Sequence, residues 1–283
     1  MVKFSHSVFA LPFALFATFL AARDLPAHWP GWGRIGLIVI CMVAARSFAM
    51  TFNRIADAAI DARNPRTAQR PIPAGRITTA QAWLFAAVSI AVFVLACLGF
   101  GRLYENWWPL RLSGAVVLFL AFYSYCKRFT SLAHFVLGAA ISFAPTAAWI
   151  AVSPQTLGAP ALFLTAAVLF WIAGFDIIYA CQDVDTDRRE GLFSIPAKFG
   201  VARALLVSRA CHVLTVALLV GLGFSAELGG WYWTGVAATA VLLAAEQSVV
   251  RADDLSRVNL AFFTINGFVS LLLGAAGITD IYV

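Results

Sequence analysis

Fourteen acidic residues in 283 are few, and six of them fall in two short runs. The first run reads Asn53-Arg-Ile-Ala-Asp57-Ala-Ala-Ile-Asp61-Ala-Arg63-Asn64-Pro65. A spacing of four and four on a helix turns each residue about 40° past the last, so Asn53, Asp57 and Asp61 share one face until Pro65 ends the helix. The second run contains Asp176, Tyr179, Gln182, Asp183, Asp185, Asp187, Arg188 and Arg189. Here Asp176, Asp183 and Asp187 fall on one face at spacings of seven and four, with Tyr179 and Gln182 adjoining and Asp185 directed elsewhere. Carboxylates crowded on facing helices repel one another unless cations join them. Hard cations such as Mg2+ take carboxylate and water oxygens and bind through one or two carboxylates plus substrate phosphates. Arg63, Arg66, Arg70, Lys127, Arg128 and Lys198 lie near the two runs and could carry the remaining phosphate charge. An internal cluster of Asp–Arg salt bridges without any phosphate is the plainer alternative.

The elements that must position these runs are apolar. Hydrophobic residues make up 61% of the chain and charged ones 12%, against roughly 25% charged in soluble domains. Apolar segments at 8–22, 35–52, 80–99, 114–126, 132–152, 160–180, 201–224, 229–245 and 260–277 predict an all-α integral membrane bundle of about nine transmembrane helices, a single domain over 1–283. Barrel strands would alternate apolar and polar residues instead. A cleavable signal peptide is disfavoured for the first segment, because Arg23-Asp24 follows it without a small-residue cleavage pattern.

Basic residues set the expected orientation. With the amino terminus cytoplasmic, Lys3 and the basic loops around Arg54–Arg76, Lys127-Arg128, Arg188–Arg203 and Arg251–Arg257 fall inside, leaving only Arg23, Arg34, Arg102 and Arg111 outside. Trp29, Trp32, Tyr104, Trp107, Trp108, Trp231 and Tyr232 then form an outer interfacial belt. Both aspartate runs end spans on the cytoplasmic side, and each leads through a basic loop to a similar helix entry, Gly75-Arg-Ile-Thr and Gly200-Val-Ala-Arg. This suggests a pseudo-repeat of four-helix units with a site between the halves. Five isolated cysteines read as apolar filler, and His28, His134 and His212 form no metal-ligand constellation. The 24 phenylalanines suit both a lipid-facing surface and an isoprenoid tunnel.

At Asn53xxxAsp57xxxAsp61 and Asp176xxTyr179AlaxxAsp183xxxAsp187 the sequence is similar to the UbiA superfamily of intramembrane aromatic prenyltransferases. Three further stretches carry the likeness: Lys3 to Pro12 with His6, Ala62 to Gly75, and Tyr123-Ser-Tyr-Cys-Lys-Arg128. The resemblance implies that Asp57, Asp61, Asp183 and Asp187 bind two Mg2+ ions bridging the diphosphate of a polyprenyl donor. It implies contacts to that diphosphate from Arg70 and Lys127, with Lys198 a further candidate, and an acceptor site at Arg46 with Asn53. Arg46, inside an apolar span, wants an anion, which the carboxylate of an aromatic acid or an internal carboxylate such as Asp176 would supply. Asp176 is the candidate to accept a proton or activate the phenol, with Tyr179 beside it.

The implied reaction is Mg2+-dependent ring prenylation of 4-hydroxybenzoate in a bacterial inner membrane, with the active site facing the cytoplasm. A naphthoate acceptor serving menaquinone is the runner-up, and a secondary transporter is the reading from a different class. Nothing in the chain speaks for nucleic acid.

Overall fold

The computed structural model describes residues 9–283. Lys3, His6 and Val8, the start of the first expected span, lie outside the described residues. Every regular element among the described residues is a helix. In chain order these are α1 (Leu11–Ala22), α2 (Trp32–Ala56), α3 (Ala58–Arg63), α4 (Thr79–Tyr104), α5 (Trp108–Cys126) and α6 (Ala133–Val152). They are followed by α7 (Ala159–Ala180), α8 (Val184–Arg189), α9 (Ile195–Phe199), α10 (Val201–Ser225), α11 (Gly230–Val249) and α12 (Asn266–Tyr282). Among the described residues seven helical stretches are long and apolar enough to cross a bilayer: α2, α4, α5, α6, α7 continuing into α8, α10, and α12 with the π-turn before it. The remaining two expected spans correspond to α1, with 12 described residues, and to α11, whose 20 residues include Glu246 and Gln247.

These helices lack polar faces because lipid, not water, surrounds them. Leu84, Leu95, Leu118, Val213 and Phe224 are each more than 60% exposed. A soluble monomer does not show so many large apolar side chains to solvent, whereas a bilayer makes that exposure favourable. The chain is an integral membrane protein.

Consecutive long helices pack on one another, and α1 closes the bundle by lying against both α6 and α12. Nine of the twelve residues of α1 are buried, so it serves as an internal post. On α6, a Cβ added at Gly138 would stand 2.5 Å from the Leu169 carbonyl oxygen of α7. The backbones of α6 and α7 approach that closely because the residue is small, the usual device of helix pairs in membranes. Tyr232 departs from the expected aromatic belt. It is fully buried and donates its hydroxyl to the Leu219 carbonyl oxygen at 2.7 Å, because a Tyr that finds an internal acceptor gains more from burial than from the interface. All five cysteines are free thiols, as their isolated placement predicts.

Candidate active site

Both aspartate runs sit where a long helix breaks. Helix α2 ends at Asp57, whose φ, ψ of −96°, 1° leave the α region, and the six-residue α3 follows. The i→i−4 ladder nevertheless crosses the break through Asp57 N–H to Asn53 O at 2.9 Å and Asp61 N–H to Asp57 O at 2.8 Å. The expected shared face of Asn53, Asp57 and Asp61 therefore survives. Helix α7 ends comparably, in a 3-10 turn over Cys181–Asp183 and then the six-residue α8. Tighter winding there, about three residues per turn, rotates Asp183 and Asp187 relative to Asp176 from the positions a continuous α-helix would give.

Each of three motif carboxylates carries a basic partner. Lys127, at the end of α5, places Nζ 2.6 Å from Asp57 Oδ2, with Arg128 Nη2 at 3.6 Å from Oδ1. Arg70 donates through Nη1 to both oxygens of Asp61 at 2.7 and 2.8 Å. Arg66 grips Asp183 with Nε at 2.9 Å and with Nη2, and its Nη1 donates to the Tyr179 hydroxyl at 2.8 Å. Asn64 adds its Nδ2 to Asp183 Oδ1 at 3.1 Å. The loop that follows the first motif thus reaches across to the second, and both motifs meet at one end of the bundle. Asp187 instead accepts from Ser194 Oγ at 2.7 Å.

The fit of this region to a divalent cation follows from its donors. Asp57 and Asp61 are buried, and Asp57 Oδ1 has no hydrogen-bond partner within the protein, an acceptor that a cation would satisfy. Among the described residues no three acidic, His or Cys side chains already converge as a preformed metal cluster. An all-oxygen set of paired carboxylates beside phosphate-seeking cations is nevertheless the kind of site Mg2+ takes, because it completes its shell with water and substrate oxygens.

Two expected phosphate contacts are placed otherwise. Arg63 is exposed and pairs with Glu190 at 2.6 Å, and that hydrogen bond holds the Glu190 carboxyl below the usual carboxylate range. Lys198, on α9, is exposed and lies over the Phe199 ring at 5.2 Å, with no ion pair to either motif. Arg46 lies about 16 Å up α2 from Asp57, counting eleven residues at roughly 1.5 Å each. Its Nε is buried without a hydrogen-bond partner, and its charge faces Tyr123. Asn53 is partly buried one turn before Asp57.

Asp176 is not Arg46's partner. It accepts from His134 Nδ1 at 2.7 Å, while His134 Nε2 accepts the Ile195 backbone N–H at 3.3 Å. A backbone N–H can only donate, so the second bond fixes the tautomer and leaves the proton on Nδ1, directed at Asp176. His134 belongs to no metal-ligand spacing in the sequence. The signal that could have found it is a His at the mouth of an apolar span, which must spend its polar atoms on some partner.

A polar brace behind the site completes it. Asn266 accepts from Trp171 Nε1 at 2.7 Å and donates to Glu246 Oε1 at 2.8 Å and Ala261 O at 3.0 Å. These bonds hold the π-turn over Leu260–Ile265, which puts the Phe262 ring 4.2 Å from that of Tyr179. π-Turns commonly mark functional positions in helices.

Lipid-facing helices that gather two cation-clamped aspartate motifs at one end, beside an unpaired arginine, form a membrane-embedded group-transfer enzyme. The model of the UbiA prenyltransferase family matches residues 10–272, and the chain belongs to that family. The 4-hydroxybenzoate octaprenyltransferase of Chromohalobacter salexigens is 32% identical over 249 residues, spanning 88% of this chain and 80% of that protein. The enzyme of the same name from Marinobacter nauticus is 32% identical over 266 residues, covering 89% and 87%. The apo structure of a UbiA homolog from Aeropyrum pernix K1 superposes with a TM-score of 0.86 at 32% identity, covering 99% of both chains. A UbiA homolog from Archaeoglobus fulgidus, solved with GPP and Mg2+, shares the fold with a TM-score of 0.68 at 18% identity, covering 98% of this chain and 96% of that one.

Proposed function

We propose that this enzyme transfers a polyprenyl group from a polyprenyl diphosphate to the ring of 4-hydroxybenzoate, with Mg2+, at the end of the bundle where the two aspartate motifs meet. The observation that carries the reading is the matched set of ion pairs Lys127–Asp57, Arg70–Asp61 and Arg66–Asp183, which stores cations for a diphosphate beside carboxylates for a metal. Asp57, Asp61, Asp183 and Asp187 would hold Mg2+. When bound, the metal supplies charge neutralisation for the departing diphosphate.

The chain's own residues do the rest. Lys127 and Arg70 turn from their carboxylates to the diphosphate oxygens and stabilise negative charge as the allylic C1–O bond breaks. Arg66 can do the same from its place on Asp183, with Tyr179 holding the guanidinium in register. Apolar walls, including Phe262 over Tyr179, keep water from the allylic cation. Arg46 and Asn53 bind the acceptor carboxylate, which orients the ring with its hydroxyl-activated carbon toward C1. That carbon attacks, a C–C bond forms, and Asp176, aimed by His134, takes the proton the ring gives up.

The amino terminus and the motif end are assigned to the cytoplasm of a bacterial inner membrane by the distribution of basic loops. Acceptor choice provides the test. Purified enzyme is incubated with a labelled polyprenyl diphosphate, Mg2+ and either 4-hydroxybenzoate or 4-methylphenol. Product from the carboxylated acceptor alone supports the assignment, and equal product from both removes Arg46 from acceptor recognition.

A further inference from the structure

The four arginines that oppose the inside rule fall into two kinds. Arg23 is accounted for by its hydrogen bond to the Ala226 carbonyl. Arg34 donates only through Nη1, to the Pro30 carbonyl oxygen at 3.1 Å, Arg102 and Arg111 stack on aromatic rings, and all three collect at the end of the bundle opposite the aspartate motifs. Arg34 opens α2 and Asp57 closes it, a separation of about 34 Å along the helix at roughly 1.5 Å per residue.

A cavity of about 300 Å³ opens there between the start of α2, the α4–α5 turn and the end of α6, lined by Arg34, Tyr104, Asn106, Trp107, Trp108 and Arg111 among others. Arg34 lies over the Tyr104 ring at 4.3 Å, Arg111 over Trp108 at 5.6 Å, and Arg102 beside the cavity over Trp107 at 5.9 Å. Stacking on an aromatic face occupies the guanidinium plane and leaves its edge N–H groups free for a bidentate oxyanion. Arg34 Nε is buried with no hydrogen-bond partner, and the Arg111 side chain makes no ion pair or hydrogen bond among the described residues. Glu105 also lines the cavity, yet it pairs with neither arginine.

The cavity is built rather than accidental. A Cβ on Gly33 would meet the Tyr104 hydroxyl at 2.1 Å, and one on Gly101 would meet the Trp107 ring at 2.5 Å, so two glycines make room for two of its aromatic walls. Asn106 clamps the turn to α6 by donating to the carbonyls of Ile150 and Ala151 at 2.8 and 3.1 Å.

We infer that this cavity binds the phosphate group of an anionic phospholipid, remote from and independent of the aspartate motifs. Two guanidiniums with no carboxylate partner among the described residues, held at a membrane end, recognise a phosphodiester. The surrounding Trp and Tyr rings suit the headgroup level of a bilayer, where amphipathic aromatics settle.

The test uses the full-length enzyme in vesicles of phosphatidylglycerol and phosphatidylcholine at equal mole fractions, with retained lipid counted by native mass spectrometry. Wild type is expected to retain phosphatidylglycerol. R34Q/R111Q is expected to bind it at least about tenfold more weakly, since two charge-assisted contacts are lost. R251Q, an exposed arginine far in sequence from the cavity, serves as the control and should match wild type. Unchanged helicity and unchanged prenyl transfer by R34Q/R111Q in detergent establish that the variant folds. Equal phosphatidylglycerol retention by wild type and R34Q/R111Q overturns the inference. So does displacement of the lipid by millimolar inorganic phosphate with no loss of headgroup selectivity, which would make the cavity a site for free phosphate.

Discussion

Lys127→Met probes the exchange of partners at Asp57 most sharply. The Lys127 ammonium is 2.6 Å from Asp57 Oδ2, and the Asp57 side chain is 2% exposed. Removing one partner of a buried pair leaves an uncompensated charge, at a cost of about 3–5 kcal/mol. Arg128, 3.6 Å from Oδ1, remains, so the lower end, about 3 kcal/mol, applies. Replacing both partners, in Asp57→Asn with Lys127→Met, recovers most of that loss because no charge is stranded. The distinctive expectation concerns metal. A divalent cation can take the place of the ammonium, so millimolar Mg2+ restores the thermal midpoint of Lys127→Met toward wild type and does nothing for the double variant. The assay is thermal unfolding in detergent with EDTA or Mg2+, read by intrinsic tryptophan fluorescence. If Lys127→Met is as insensitive to Mg2+ as the double variant, Asp57 is a structural ion-pair partner and not a metal ligand.

Three further outcomes follow from the site. Arg46→Leu should leave stability nearly unchanged, since its Nε has no partner to lose, while raising KM for 4-hydroxybenzoate about 10- to 100-fold through loss of a charge-assisted bond worth roughly 1.5–3 kcal/mol. Steady-state kinetics decide that, and an unchanged KM would remove Arg46 from the acceptor site. His134→Phe should lower kcat by about 100-fold at unchanged donor KM, because Asp176 loses the donor that aims it. An unchanged kcat would remove His134 from the positioning of Asp176. The Arg63–Glu190 clasp should weaken in acid. Glu190 titrates below its unfolded value, so the clasp is complete above the ordinary carboxylate pKa and is lost as pH falls through the depressed folded one. Proteolysis after Arg63 should therefore accelerate at low pH in wild type and be fast at every pH in Glu190→Gln.

The bundle was legible because lipid leaves its mark on every turn. Continuous apolar runs and a scarcity of charge require helices, and the four-residue spacing of Asn53, Asp57 and Asp61 survives the break at Asp57 because the backbone ladder crosses it. What periodicity cannot carry is pairing between distant polar groups. Arg66 and Asp183 are 117 positions apart and His134 and Asp176 are 42 apart, and no local pattern joins them. Arg63 and Lys198 resemble Arg66 and Lys127 in type and loop context, yet Arg63 goes to Glu190 and Lys198 to the face of Phe199. Tyr232 shows the same limit, because an internal acceptor at Leu219 outweighs the interface that its neighbour Trp231 occupies.

The most direct measurement of the central claim is Mg2+-dependent transfer of a labelled polyprenyl group onto 4-hydroxybenzoate by purified wild type, Asp57→Ala and Asp183→Ala. Product from wild type that disappears with EDTA and falls at least about 100-fold in both variants is the expected result. Turnover near wild type in either variant, once both are shown to be folded, would contradict a site shared by the two motifs.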